Sequence, residues 1–424
     1  VNMNVLHVNT WAARGGAGRA AFRLHEGLRK AGHFSRTVAR RTVPGRADVQ
    51  GWVPETRLWS RVRRLNRVLE IHAGLDGLAD VASWVGYRRH AAWADVVNLH
   101  NVHGGAMSLL LLPRLERRAP VVWTLHDMWP LTGHCAYPME CDRWLAGCGR
   151  CPNLAGPPRI GWDATRLLYR ARARIYRRIS PVLVAPSRWL LAQTRRSPLT
   201  REFRAVHIPN GLDLDVFRPV DRRVARGTLR LGPAEKVVMF CAHSLADRRK
   251  GPDLLIEALR TLHANGEAEL RLLVAGQAGS LLASQSPYPV LDLGQVDSEL
   301  LLAAAYSAAD VFVLPTRMDN LPNGLVESIA CGTPCVSFRV GGVPDVVRPG
   351  RTGWLAEPES ARDLARCLHE ALNSNEKRKE MSAVCRRIAE DEYDVRLMVE
   401  RYVALYEELI EERRRSPGVP STPE

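Results

Sequence analysis

Short apolar runs recur along this chain with helix-length amphipathic stretches between them, and that rhythm restricts the fold more than any other feature. The runs lie at 5–8, 96–100, 121–126 and 181–186, then at 237–242, 270–275, 311–315 and 334–338. Strands covered by helices on both faces read this way, as they do in parallel sheets. Helical spacing of apolar residues falls between them, at 19–31, 253–265 and 323–330. The expected class is therefore α/β, in two units of similar size facing a cleft. A Pro-, Gly- and Asp-rich stretch at 207–219 suits a hinge. The expected domains are 1–205, with a Cys-rich insert at 133–158, and 206–393. A helix over 394–415, with Val395, Met398, Tyr402, Leu405 and Leu409 at helical spacing, is expected to pack back on the first domain. Residues 416–424 are expected to form a disordered tail.

Charge divides the same two halves. Residues 1–205 hold 33 Lys and Arg against 13 Asp and Glu, a balance of +20, and the remainder holds 27 against 32, a balance of −5. Such asymmetry calls for an anionic partner: nucleic acid, a membrane surface or a phosphorylated substrate. Nucleic acid is disfavoured, because no recognised motif is present and aromatic residues are not interleaved with the basic runs. No apolar run approaches the roughly 18 residues of a membrane span, and residues 1–10 lack the basic start and long apolar core of a signal peptide. A cytoplasmic location is expected, with the basic half available to an anionic membrane surface.

Several motifs carry chemistry. Arg14-Gly15-Gly16-Ala17-Gly18-Arg19 follows the first run and leads into a helix. Gly15 and Gly16 would let backbone N–H groups approach a phosphate, although taken alone a tight strand–helix turn explains them better. The motif is not G-x-G-x-x-G, and no acidic residue ends a clear second strand, which argues against a nicotinamide enzyme. His126 and Asp127 end the third run, where a His can bond a sugar hydroxyl or act as an acid–base. His100-Asn101-Val102-His103 raises the same question one strand earlier. Asp247-Arg248-Arg249-Lys250-Gly251 places three cations ahead of a helix, where they could neutralise a diphosphate. Most informative is Asp319-Asn320-Leu321-Pro322-Asn323-Gly324-Leu325-Val326-Glu327. One carboxylate on the loop and one on the helix can hold two polyol units, while the helix N-terminus faces an anion. That pattern suits a nucleotide sugar.

With these pieces the chain resembles the retaining glycosyltransferases of family 4, also called group 1. The resemblance rests on Gly15-Gly16, Ala185-Pro186-Ser187-Arg188, Ile208-Pro209-Asn210-Gly211-Leu212-Asp213, Phe217-Arg218-Pro219, Lys250-Gly251 and the segment from Glu327 to Pro334. Their order spans nearly the whole chain. It is most similar to exopolysaccharide enzymes of the colanic-acid type, which share the Asp-Asn-Leu-Pro-Asn loop and a Cys-rich insert. The resemblance implies the GT-B fold, two Rossmann-like domains facing a central cleft. It also implies metal-independent transfer of a hexose from a nucleotide-diphosphate sugar to a glycan or lipid-linked acceptor, with retention and no catalytic cofactor. It assigns Asp319, Lys250 and His126 to catalysis. Gly15, Gly16, Arg248, Arg249, Asn320, Asn323, Gly324, Leu325 and Glu327 fall to the donor, with Glu327 on the ribose. Pro322 stands where the family has Gly, and Ser244 where it has Arg, so Arg248 or Arg249 must supply the second diphosphate cation. The rival readings are an epimerase or phosphorylase on the same fold, and a basic nucleic-acid-binding protein.

Four of the nine cysteines cluster as Cys135, Cys141, Cys148 and Cys151, the last two at C-x-x-C spacing. Four thiolates without an export signal suit a structural zinc, with free thiols or a redox pair as alternatives. The segment 57–70 sets Leu58, Val62, Leu65 and Leu69 on one face and five arginines elsewhere, and 166–179 repeats the theme. Such helices can lie on anionic lipid, although packing on the sheet is commoner.

Overall fold

The computed structural model describes residues 2–267 and 269–415; the expected tail at 416–424 lies outside them. The chain divides into two compact units, Val1–Gly211 with Arg396–Glu424, and Leu212–Val395.

The first unit is built on a seven-stranded, all-parallel sheet. Its strands are β1 (Asn4–Trp11), β2 (Phe34–Arg41), β3 (Val49–Gln50), β4 (Val96–Leu99), β5 (Val121–Thr124), β6 (Val182–Ala185) and β7 (Ala205–His207). Their spatial order is β3-β2-β1-β4-β5-β6-β7. All residues of β4, β5 and β6 are buried, which is why those strands read as apolar runs. The first division falls after Gly211 rather than after 205, because β7 pairs with β6 and closes the first sheet. The last helix, Val395–Arg415, is anchored in this unit by two buried tyrosines. The Tyr406 hydroxyl accepts from Asn98 Nδ2 at 2.7 Å, and the Tyr402 hydroxyl shares a 2.8 Å bond with Thr124 Oγ1.

The second unit holds a six-stranded parallel sheet: β8 (Lys236–Ser244), β9 (Leu270–Gln277), β10 (Val290–Asp292), β11 (Val311–Leu314), β12 (Cys335–Phe338) and β13 (Gly353–Ala356), in the order β10-β9-β8-β11-β12-β13. The chain enters and leaves it at neighbouring points. Leu212 N donates to Tyr393 O at 2.8 Å, and Val395 N donates to Leu212 O at 2.9 Å.

Counted within each unit, both sheets share the Rossmann order 3-2-1-4-5-6, the first carrying β7 in addition. Strand order reverses between β1 and β4 in one, and between β8 and β11 in the other. Ligands of open α/β sheets bind beyond the strand carboxyl ends at such reversals. Among the described residues, no helix is long and apolar enough to cross a membrane.

Candidate active site

In the second unit the reversal gathers the loops after β8 and β11. The β8 loop ends in a 3-10 turn, Arg248–Lys250, capped by Asp247, whose Oδ1 accepts from Arg249 N at 3.0 Å. Gly251 then turns the chain with φ +73°, and a Cβ there would meet Pro315 O at 1.9 Å. Only glycine lets the two loops touch backbone to backbone. Arg317 N and Thr316 Oγ1 both donate to Arg249 O, at 2.8 and 2.9 Å, fixing the contact.

Across this junction three predicted residues meet. Arg249 Nη1 donates to Asp319 Oδ2 at 3.0 Å and to Met318 O at 2.9 Å, and Lys250 Nζ donates to the same Asp319 oxygen. Burial works to raise the Asp319 carboxyl, yet Lys250 and Arg249 hold it below the usual carboxylate range. Burial lowers the Lys250 ammonium against the pull of Asp319. Of the two candidate arginines, Arg249 has its guanidinium on Asp319. Arg248 meets this junction through its backbone carbonyl, which accepts from Arg317.

The helix Asn323–Ala330 begins where the sequence predicts. Pro322 at its N-cap offers no side-chain cap, and its first turn holds no acidic residue. The partial positive charge of its N-terminus lies among Asn323, Gly324 and Leu325 in the first turn and Asn320 on the loop before it. Glu327 is buried, and its Oε2 accepts from the Tyr306 hydroxyl at 3.1 Å. Nothing in the sequence around Tyr306 marks it, because the contact crosses from the helix Glu299–Ala308.

In the first unit, Gly15 opens the helix Gly15–Lys30 with φ +70°, again with no side-chain cap and no acid in the first turn, and Gly16 follows it. His126 sits just beyond β5, nearly buried, and heads a row of three stacked imidazoles. His126 Nε2 lies 3.0 Å from His100 Nδ1, and His100 Nε2 lies 3.0 Å from His7 Nδ1. Burial pushes His126 down to about 4 and His100 and His7 well below their ordinary value, so the row is neutral near pH 7. Asp127 accepts from Trp129 N at 2.9 Å and lies 3.1 Å from His103 Nε2. Burial works to lower His103, but Asp127 carries it above its usual range. His7 escapes sequence reasoning, its only signal being a polar residue inside an apolar run.

The Cys-rich insert brings Cys135, Cys141, Cys148 and Cys151 around one small cavity, with His134 and Trp144 in its wall, and all four are free thiols. Burial pushes Cys135 up to about 12 and Cys148 up to about 11. Among the described residues, the set whose ligand atoms already stand within 4.8 Å of one another is instead His25, Glu26 and Asp48. Its Asp48 is bound by Arg46 and Arg29, which leaves little attraction for a further cation.

The two basic helices differ from each other. Arg57–His72 buries Asn66 and Glu70 and turns its apolar residues outward, with Leu58 67% and Leu65 61% exposed. Thr165–Tyr176 is an ordinary packed helix, burying Leu168, Tyr169, Arg172, Ile175 and Tyr176.

Comparison with known proteins agrees with this architecture. Residues 14–216 match the model of Glycosyltransferase Family 4, and residues 235–374 that of Glycosyl transferases group 1. The chain is 30% identical over 337 residues to D-inositol 3-phosphate glycosyltransferase 1 of Catenulispora acidiphila, covering 76% of this chain and 74% of that protein. With the D-inositol 3-phosphate glycosyltransferase of Geodermatophilus obscurus it shares 34% identity over 233 residues, so the match spans about half of each chain, 51%. In fold it is similar to sucrose-phosphate synthase from Thermosynechococcus elongatus, with TM-score 0.69 and 20% identity over 96% of this chain and 100% of that one. It is likewise similar to Anabaena Alr3699/HepE, solved with UDP-glucose, with TM-score 0.67 and 16% identity over the same shares. The chain belongs to the family 4, group 1 glycosyltransferases and has their GT-B fold of two Rossmann-like units.

Proposed function

We propose that the protein moves a hexose from a nucleotide-diphosphate sugar to a glycan or lipid-linked acceptor, with retention and without a divalent metal, in cell-surface polysaccharide synthesis. The observation that carries this reading is the Lys250–Asp319–Arg249 junction at the β8/β11 reversal, beside the N-terminus of the helix Asn323–Ala330, whose N-cap residue is Pro322. As the sugar–phosphate bond breaks, negative charge gathers on the leaving diphosphate and positive charge on the sugar, as in glycoside cleavage. Lys250, Arg249 and the helix N-terminus meet the first charge, the role a divalent ion would otherwise fill. Asp319 holds both cations in place before the donor arrives, so little reorganisation remains during reaction. Glu327, held by Tyr306, takes the ribose hydroxyls, and His126 serves the acceptor side. UDP bound to Alr3699/HepE makes a uridine donor the first to test.

A peripheral position at the cytoplasmic face of the membrane fits the +20 balance. It also fits the outward apolar residues of Arg57–His72, set among Arg57, Arg61 and Arg64. An anionic acceptor fits the same charge, and two of the named relatives are D-inositol 3-phosphate glycosyltransferases.

The experiment is a thermal-shift screen against UDP-, GDP-, ADP- and TDP-sugars, followed by kinetics with the donor it selects. Lys250→Ala should lower turnover, and Glu327→Ala should weaken nucleotide binding, each on the order of 10²-fold. If both variants keep near-normal activity with that donor, the site is misplaced.

A further inference from the structure

The Cys-rich insert, 133–158, has little to hold itself together. Its one regular element is the 3-10 turn Arg143–Leu145. Four consecutive residues, Gly147, Cys148, Gly149 and Arg150, take positive φ, and two of them are not glycine. The chain is thereby wrapped tightly around the Cys148-to-Cys151 corner, where Cys148 N donates to Arg143 O at 2.9 Å and Gly149 N donates to Thr165 Oγ1 at 3.0 Å. A backbone N–H already points at one of the sulfurs. Gly133 N donates to Cys148 Sγ at 3.2 Å.

A second observation comes from the groups packed against the insert. Arg172, on the helix Thr165–Tyr176, is 1% exposed and stacks on Trp129 at 3.8 Å. Its Nη1 donates to Trp129 O at 2.8 Å and to Thr132 O, while Nε and Nη2 are buried without a partner. It makes no ion pair among the described residues. Asp76, a carboxylate within electrostatic reach, is turned to Trp129 Nε1 and Gly104 N. Its other electrostatic partners are the Tyr176 phenol, itself bonded to Pro130 O, and the thiols of Cys148 and Cys135. His134 lines the same cavity, 1% exposed, with both ring nitrogens unbonded. A buried guanidinium without a counter-charge and a buried imidazole without a bond are each costly, and here both stand against four thiols.

We propose that Cys135, Cys141, Cys148 and Cys151 hold one structural zinc ion, whose tetrathiolate charge is the counter-ion of Arg172. Four thiols release four protons on binding, leaving a site of net double negative charge. Arg172 answers part of that charge, and His134 supplies a ring N–H to a sulfur. Among the described residues, no three of these sulfurs yet stand within 4.8 Å of one another. Tetrahedral zinc, with Zn–S near 2.3 Å, sets sulfurs about 3.8 Å apart, so binding draws the side chains inward around the cavity they line. All four positions are filled by protein, so this metal takes no part in transfer. Its work is mechanical. Arg172 grips the carbonyls of Trp129 and Thr132, and Trp129 N is bonded to Asp127, so the metal braces the segment that carries His126.

The test uses the full chain, expressed with zinc in the medium and purified under reductant. Elemental analysis should find about one zinc per chain, and cobalt exchange should give the visible spectrum of a tetrahedral thiolate. Cys148→Ser should lose the metal, His134→Asn should keep it, and Arg172→Met should release it to a chelator about tenfold more readily. Chelator treatment of the unaltered protein should lower its melting temperature, a measurement that needs no variant to fold. Metal-free protein that takes up no added zinc, four freely titrating thiols, or a disulfide found by mass spectrometry would each overturn the proposal. Loss of zinc in His134→Asn would overturn the four-sulfur ligand set. None of these outcomes bears on the transferase reading, which rests on the second unit.

Discussion

Tyr306→Phe removes one oxygen and leaves the ring. The ring keeps its edge contact with Phe312, 5.2 Å between centroids, and the Thr333 Oγ1 bond to the Tyr306 carbonyl is untouched. What disappears is the 3.1 Å bond from a fully buried phenol to the Glu327 carboxylate. A buried hydrogen bond to a charged group contributes about 1.5–3 kcal/mol. For a unit of this size each kcal/mol moves melting by about 2–4 °C, so the second unit should melt about 3–12 °C lower. Nucleotide affinity should fall as well, by about tenfold, equivalent to about 1.4 kcal/mol, because Glu327 loses a bond that directs its carboxylate. Calorimetric melting and titration with the selected nucleotide measure the two effects separately. Combining Tyr306→Phe with Glu327→Gln should give less than the summed loss, the mark of two residues acting through one bond. A variant that melts and binds as the parent does would refute the reasoning. A drop in melting with unchanged affinity would keep the bond but remove Glu327 from the ribose.

The histidine row makes a spectroscopic prediction. His7 Nε2 is buried without a partner, which favours a bare lone pair there and fixes the direction of every bond in the row, leaving His126 as the Nδ1–H tautomer. His7→Phe should therefore mix the tautomers of His126 two rings away, read by 15N NMR of labelled imidazoles, and unchanged signals would sink the idea. His126→Ala should impair transfer more than nucleotide binding, and equal loss of both would mark it as a folding residue. For the membrane, the protein should co-sediment with anionic vesicles at low salt and release as salt rises, since exposed charges are screened over about 10 Å at 0.1 M. Equal binding to neutral vesicles would reject the electrostatic account.

Much of the fold is legible from local pattern. The eight apolar runs match eight of the thirteen strands, because β4, β5, β6, β11 and β12 are buried on both faces and must be apolar throughout. Four of the five strands left unread among the described residues, all but β13, have local reasons of their own. β2 reads FSRTVARR, with too many polar residues to stand out, and β3, β7 and β10 are only two or three residues long. The expected first boundary fell short by those same few residues, since β7 is recognisable only through its partner β6.

By itself the sequence determined the α/β class, a short helix over 323–330 and the pairing of a basic turn with an acidic loop as candidate chemistry. These are properties of neighbouring residues: apolar period, cap chemistry and charge along a loop. The tertiary structure decided which arginine meets Asp319, that the Tyr306 hydroxyl bonds Glu327, that His7 stands behind His126, and that the apolar side of Arg57–His72 faces outward. Each of those depends on pairs far apart in the chain, such as Lys250 with Asp319 and His7 with His100, 69 and 93 positions away. Such pairs meet only because β11 lies beside β8, and β4 beside β1, and strand order is a property of the whole sheet that no local stretch encodes.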